Sequence, residues 1–98
     1  MHATLRRIKT QPGQAVKVAQ LIETEYLPKI EGVDGFISYT LVDLGNDEIS
    51  SLGIFTSEES AQQANAAART WTTDALAPFV ASGLDALAGS VLIHHDSD

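Results

Sequence analysis

Trp71 is the only tryptophan in this chain of 98 residues, and it comes late in an alanine-rich stretch. In a predicted helix, this indole and four small side chains share one face, which we call the alanine stripe: Ala61, Ala64, Ala68, Trp71 and Ala75. The alanines would let the helix approach a neighbouring layer closely, and the indole would fill or close the wider space beyond them. Trp71 is therefore either a core side chain or the wall of a pocket.

Two adjacent arginines supply the second candidate chemistry. Arg6 and Arg7 follow each other in a strand-like segment, so they should point to opposite faces of a sheet. A guanidinium that is buried needs an anion beside it. That anion could be a carboxylate or phenolate ligand, or a protein carboxylate such as Asp43, Glu48 or one from a second subunit. The salt bridge within the protein is favoured, because buried charges are usually paired that way.

Other catalytic and binding chemistry has little support. His2, His94 and His95 could approach one another at a sheet edge with Asp96, but adjacent strand residues face opposite ways. We therefore predict no metal site and no cofactor. The serines have no histidine near them in sequence, and no glycine-rich phosphate loop occurs. No general base is visible, since Asp43 or Asp74 would need burial to raise the carboxyl pKa.

The composition is that of a small folded domain. Hydrophobic residues make up 44% of the chain and charged residues 19%, while the net charge is -7. This negative charge disfavours nucleic acid and anionic membranes as partners. Cysteine is absent, and no apolar run approaches the ~18 residues of a membrane span. We expect one cytoplasmic domain over residues 1–98, with 96–98 as a disordered tail.

The periodicity predicts six elements in the order βαββαβ. The predicted strands cover residues 2–9, 35–44, 48–55 and 87–95, and the predicted helices cover 14–27 and 56–76. Pro28 is expected to end the first helix, and Thr56 or Ser57 to cap the second. This order is typical of the ferredoxin-like α+β fold, a four-stranded antiparallel sheet with two helices on one face.

Both faces of the predicted sheet are apolar. Strict alternation in the second strand puts Phe36, Val42 and Leu44 on one side and Ile37, Tyr39 and Leu41 on the other. Two helices can cover only one face, and an antiparallel sheet normally leaves the other face polar. A second copy of the same sheet would cover it. We therefore expect a homodimer through the open sheet face, with an enclosed space between the sheets.

The chain resembles the antibiotic biosynthesis monooxygenase superfamily, also called the dimeric α+β barrel. The resemblance covers about residues 3–95 and rests on length, element order, "QPG" before the first helix, "GVDGFISYTLVDLGNDEISSLGIFTSEESA", and the late tryptophan. It implies a homodimeric barrel and a cofactor-independent monooxygenase that forms quinones from activated phenols. Haem-degrading relatives carry an axial histidine after the second helix, and residues 71–90 contain none.

The resemblance also implies site residues. Those that hold the oxyanion and the aromatic plane would be Trp71, Tyr39, Asn65 and an arginine, Arg7 or Arg6. A second group would contact a small aromatic ligand: Arg6, Phe36, Phe55 and Ala68.

Asn65 departs from the family pattern, in which asparagine and tryptophan share a helical face. Here the two are six residues apart, about 120° around a helix, which favours a solvated edge position for Asn65. Amphipathic spacing alone explains Tyr26 and Phe55 as core residues. The alternative to an enzyme is a non-catalytic module that binds a small ligand or only dimerises. Anion-binding regulation through Arg6 and Arg7 is a third hypothesis.

Overall fold

The computed structural model of the protein describes residues 1–97. Four strands form one antiparallel sheet in the spatial order β2-β3-β1-β4: β1 (His2–Thr10), β2 (Phe36–Gly45), β3 (Glu48–Phe55) and β4 (Val80–Ser90). Residues 96 and 97 lie outside regular secondary structure, and position 98 of the predicted tail lies outside the described residues.

The helices connect the strands in two similar units. The first unit contains α1 (Ala15–Leu21), a π turn (Ile22–Tyr26) and α2 (Leu27–Glu31). The second contains α3 (Glu58–Trp71), another π turn (Thr72–Leu76) and a 3-10 turn (Ala77–Phe79). Both units pack on one face of the sheet, so the predicted ferredoxin-like α+β fold is confirmed. In residues 1–97, no helix is long and apolar enough to span a membrane.

The core lies between these helices and the sheet. Its buried residues come from α1, α2, both π turns, α3 and the central strand β3: Val18, Ile22, Tyr26, Ile30, Ile49, Phe55, Ala61, Ala64, Ala68, Trp71 and Leu76. The predicted alanine stripe of α3 is therefore the face that meets the sheet. Ala75, the last member of that stripe, is half-buried against the same core.

The faces predicted for β2 are correct from Tyr39 onward and wrong at the start of the strand, for Phe36 and Ile37. Phe36, Tyr39 and Leu41 all pack against the helix-side core, whereas Val42 and Leu44 are exposed. The pairing of β2 with β3 shifts register between Phe36 and Ser38. An extra residue in one strand reverses the alternation beyond it, so side chains of opposite parity share a face.

The predicted end of the first helix is also wrong. Pro28 does not stop the helix, because the π turn before it changes the hydrogen-bonding pattern and α2 begins at Leu27. Proline is tolerated in the first turn of a helix, where its missing N–H would have no partner within the helix. The helical unit therefore continues to Glu31.

The last strand lies earlier in the chain than predicted. β4 pairs with β1 from Thr10 opposite Val80 to His2 opposite Ser90, so the length of β1 sets the length of β4. One further backbone hydrogen bond follows, from the Val91 N–H to the Met1 oxygen at 3.0 Å, and residues 92–97 lie beyond the sheet. Gly83 lies inside β4, where the pairing with β1 shifts register between Arg7 and Ile8.

Ser57 is the N-cap of α3, since its hydroxyl accepts a hydrogen bond from the Ser60 N–H at 3.2 Å. Replacing Ser57 with alanine is expected to lower the free energy of unfolding by about 1 kcal/mol, because this N–H loses its acceptor. Thr56→Ala is the control, and we expect a smaller loss. Urea unfolding curves of the two variants test this. Equal losses would contradict the assignment of the cap to Ser57.

Candidate functional site

A cavity of about 70 Å³ lies between the sheet and the helices. The small side chains of α3 and the absence of a side chain at Gly53 leave this space. A Cβ atom at Gly53 would lie 3.0 Å from Thr4 Oγ1 and 3.1 Å from the Phe55 ring. The polar and aromatic side chains that line the cavity are Thr4, Arg6, Tyr26, Tyr39, Ser51, Phe55, Asn65, Trp71 and Thr72.

Arg6 is the positively charged residue that lines the cavity. Its Nη2 donates hydrogen bonds to the Asn65 backbone oxygen at 3.2 Å and to Asn65 Oδ1 at 3.3 Å. Both acceptors are neutral, and no carboxylate of residues 1–97 forms a salt bridge with Arg6. The half-buried guanidinium therefore keeps an uncompensated charge beside the cavity, which favours an anionic ligand.

Arg7 has the opposite environment. It lies on the sheet face away from the helices, where its Nε is 2.9 Å from Asp85 Oδ2 and its Nη1 is 3.5 Å from Glu48 Oε1. Of the two arginines for which a salt bridge to Glu48 was considered, Arg7 forms it. Arg7 does not line the cavity, because alternation along β1 sends adjacent side chains to opposite faces.

Aromatic rings form one wall of the cavity. The indole of Trp71 stacks on the Tyr26 ring with centroids 5.3 Å apart and an interplanar angle of 27°. Tyr26 in turn meets Tyr39 edge-on, with centroids 5.9 Å apart. Trp71 is 5% exposed and belongs to the core as well as to the cavity wall. Both alternatives considered for this residue therefore describe its position.

The phenols of the two tyrosines are hydrogen-bond donors at neutral pH. Burial, with a smaller contribution from Tyr39, raises the pKa of Tyr26 to about 12, although Arg6 opposes this shift. Burial also raises the pKa of Tyr39, against the hydrogen bond with Ser51 and the charge of Arg6. The Tyr26 hydroxyl donates to the Ala64 backbone oxygen at 3.5 Å, so the donors available to an oxyanion are the neutral phenol of Tyr39 and the guanidinium of Arg6.

The high pKa of Tyr26 predicts an alkaline loss of stability. An unfolded tyrosine ionises near pH 10, whereas folded Tyr26 ionises near 12. Its contribution to the free energy of unfolding is thus complete below pH 10 and is lost as the pH rises to about 12. Urea unfolding of the wild type and Tyr26→Phe from pH 8 to 11 should show a steeper decline in the wild type. Parallel pH profiles would contradict the shift.

The structure brings together most of the predicted site residues. The members of both groups that line the cavity are Arg6, Tyr39, Phe55, Asn65, Ala68 and Trp71. Phe36 does not line it and instead packs edge-on against Phe55, with centroids 5.9 Å apart. Asn65 is half-buried rather than on the solvated edge favoured by the helical wheel, because it reaches Arg6 across the gap to the sheet.

Some lining residues were not singled out from the sequence. Thr4 lies two positions before Arg6 on β1, so alternation could have placed it on the same face. Tyr26 was predicted as core, and it is, but it also faces the cavity. Ser51 and Thr72 carry no signal in the sequence that distinguishes them from other hydroxyl residues.

The histidines lie away from the cavity. His94 Nε2 is 3.2 Å from Asp96 Oδ1, in the segment that follows β4. Within residues 1–97, no group of three histidine, cysteine, aspartate or glutamate side chains could hold a metal ion. The residues that line the cavity include no histidine, cysteine or methionine that could ligate a haem iron. The cavity therefore does not fit a haem.

Comparison with known proteins places the fold. No family model and no curated protein matches the chain. Among solved structures, NE2512 of Nitrosomonas europaea, of unknown function, has a TM-score of 0.80 at 17% identity, covering 99% of this chain and 94% of its own. A candidate antibiotic biosynthesis monooxygenase from Chloroflexus aurantiacus J-10-fl has a TM-score of 0.71 at 17% identity, with coverages of 97% and 96%.

A third structure is a MhuD mutant with two manganese protoporphyrin IX groups per active site. Its TM-score is 0.75 at 16% identity, and the match covers 99% of this chain and all of that one. Identities this low establish the fold alone. The chain therefore has the fold of the antibiotic biosynthesis monooxygenases.

Proposed function

We propose that the protein is a cofactor-independent monooxygenase that acts on a small activated aromatic or quinol in the cavity between helices and sheet. The observation that carries this proposal is the uncompensated guanidinium of Arg6 beside a wall of aromatic rings. Loss of a proton from a phenol creates an anion that a fixed cation stabilises. The same chemistry needs a flat surface for the ring, and Trp71 and Tyr26 offer one.

The reaction takes its electrons from the substrate. A phenol and one O₂ give a quinone and one water: the ring loses a C–H and an O–H hydrogen, and one oxygen atom becomes the second carbonyl. The other oxygen atom leaves as water with both hydrogens. Arg6 and the phenol of Tyr39 donate to the substrate oxyanion, while Asn65 orients the guanidinium.

The absence of a base narrows the substrate class. Neither a carboxylate nor an imidazole is among the residues that line the cavity. The substrate must therefore ionise readily by itself, as electron-poor phenols and hydroquinones do. Its size is limited too, because a benzene ring occupies an engineered cavity of about 150 Å³. A single ring would enter the smaller cavity here only if it stayed partly in the opening or displaced a wall side chain.

The experiment is oxygen uptake by the purified protein with a panel of easily ionised hydroquinones and phenols, in the presence of a chelator and without flavin. We expect uptake above the spontaneous rate for at least one single-ring compound, with water and a quinone as products of a phenol, or water and a hydroxyquinone as products of a hydroquinone. Rates equal to those without protein across the whole panel would contradict the proposal.

The alternative is a non-catalytic module that binds a small aromatic ligand or only dimerises. The lack of a general base in the cavity lining favours this second candidate. The two are separated by comparing ligand binding with oxygen uptake. Saturable binding by a ligand that is never oxidised would support the binding module.

We further propose that two copies pair through the sheet face away from the helices. Leu5, Leu52 and Leu87 lie in one row across β3, β1 and β4 on that face, and all three are exposed. Every position of β4 after Val80 is also exposed. A second copy would remove this apolar surface from water.

This predicts a change of assembly in a variant at the centre of the face. Leu5→Glu should convert a dimer to a monomer in sedimentation velocity, because the interface would bury a carboxylate from each copy. Val16→Glu, at a position 68% exposed on α1, is the control and should stay dimeric. A wild-type protein that sediments as a monomer at high concentration would contradict the pairing.

A further inference from the structure

We infer that Glu25 is a positioning residue that fixes the indole of Trp71 at the cavity wall. The indole is 5% exposed, and a buried indole N–H needs an acceptor. Glu25 Oε1 accepts this hydrogen bond at 3.4 Å. Glu25 itself is exposed and does not line the cavity, so it acts on a ligand only through Trp71.

The π turn in the first helical unit explains why Glu25 reaches Trp71. In an α-helix, neighbouring side chains diverge by about 100°, so two consecutive residues seldom contact the same ring. Here both residues at the end of the turn do: Tyr26 stacks on the indole at 5.3 Å, and Glu25 accepts its N–H. The stack sets the plane of the indole, and the hydrogen bond sets its rotation within that plane.

The orientation of the indole matters because the cavity is small. A space of about 70 Å³ cannot take a whole ring while the indole stays in place and the opening is closed. A ring that enters must therefore lie against Trp71 or displace it. By restricting the indole, Glu25 sets the rotation of the ring that the ligand meets and the ease with which the ring is displaced. This consequence for substrate rests on the proposed function, whereas the hydrogen bond does not.

The test uses Trp71 as the only indole fluorophore of the chain. Acrylamide quenching and emission anisotropy are measured in the free protein for Glu25→Ala, Glu25→Gln and Glu23→Ala. Glu23 is an exposed carboxylate of the same π turn that does not bond Trp71, so its variant controls for lost charge. Glu25→Gln keeps an oxygen acceptor without the charge.

We expect Glu25→Ala to raise the population of displaced indole about fivefold, the effect of losing one typical hydrogen bond, with more quenching and lower anisotropy. Glu25→Gln should restore values near those of the wild type, and Glu23→Ala should leave them unchanged. Wild-type quenching in Glu25→Ala would overturn the inference, as would equal increases in Glu25→Ala and Glu23→Ala.

The same variants separate this inference from the proposed function. If the wild type consumes oxygen, Glu25→Ala should raise KM more than Glu25→Gln does, at similar fold stability. If the wild type consumes none, the monooxygenase proposal falls, but the quenching result still decides the role of Glu25. A failed quenching result with intact oxygen uptake would remove Glu25 from the site and leave the proposed function standing.

Discussion

Replacing Arg6 with methionine is expected to weaken the binding of an ionised phenol by about 10- to 100-fold, the range of a charge-assisted hydrogen bond. Within residues 1–97 the guanidinium has only neutral acceptors, both on Asn65, so its charge is available to a ligand. Methionine keeps much of the length and apolar volume of the side chain. Binding constants follow from the change in Trp71 emission, and oxygen uptake should fall by a similar factor.

Arg69→Met is the matched control for this prediction, because Arg69 is an exposed arginine of α3 that does not line the cavity. It removes the same charge from the protein and should leave binding unchanged. A dimethyl ether of the ligand, which cannot ionise, should bind the wild type and Arg6→Met equally weakly. An equal loss of affinity in Arg6→Met and Arg69→Met would mean that net charge, and not the site, attracts the ligand.

Replacing Trp71 with alanine is expected to lower the free energy of unfolding by about 3–5 kcal/mol, as large-to-small changes in a core do. The indole is buried, stacks on Tyr26 and joins the helix-side core. Its removal would also enlarge the existing cavity, so little collapse of the surroundings is expected. A domain of this size has only about 5–15 kcal/mol of stability, and the variant should be close to unfolding at body temperature.

Val16→Ala serves as the control for truncation at an exposed apolar position, and its effect should stay within about 0.5 kcal/mol. Trp71→Phe distinguishes packing from the site: it keeps a ring against Tyr26 but has no N–H for Glu25. We expect it to keep most of the stability and lose ligand affinity. Affinity in this variant is measured by calorimetry, because it has no tryptophan, and an unchanged value would support the interpretation of Trp71 as core alone.

The order of elements could be predicted from the sequence because each has a clear periodicity, but several details depend on tertiary pairing. The end of β4 follows from where β1 begins, since Ser90 pairs with His2, and local patterns do not encode this pairing. The faces of β2 depend on a register shift between Phe36 and Ser38, which strict alternation misses. The continuation past Pro28 depends on a π turn, which a 3.6-residue period does not predict.

The candidate site could be predicted in its residue types but not in its geometry. Arg6 and Arg7 are equivalent in the sequence. They differ in the structure because Arg6 lies on the face that the helices cover and has no carboxylate partner, whereas Arg7 lies on the other face and pairs with Asp85. An ideal helical wheel places Asn65 about 120° from Trp71, at the edge of the buried face, yet its side chain lines the cavity. Glu25 could not be found, because no periodicity indicates that an exposed carboxylate of the first helical unit accepts a hydrogen bond from Trp71.

The central claim is that the cavity binds an aromatic anion beside Trp71 through Arg6. The most direct test is a fluorescence titration of the wild type and Arg6→Met with a fluorinated hydroquinone, which ionises near neutral pH, and with its dimethyl ether. We predict saturable quenching of Trp71 by the hydroquinone alone, and its loss in Arg6→Met. Two results would contradict the claim. One is Trp71 emission that neither compound changes, and the other is equal quenching by both compounds in the wild type and in Arg6→Met.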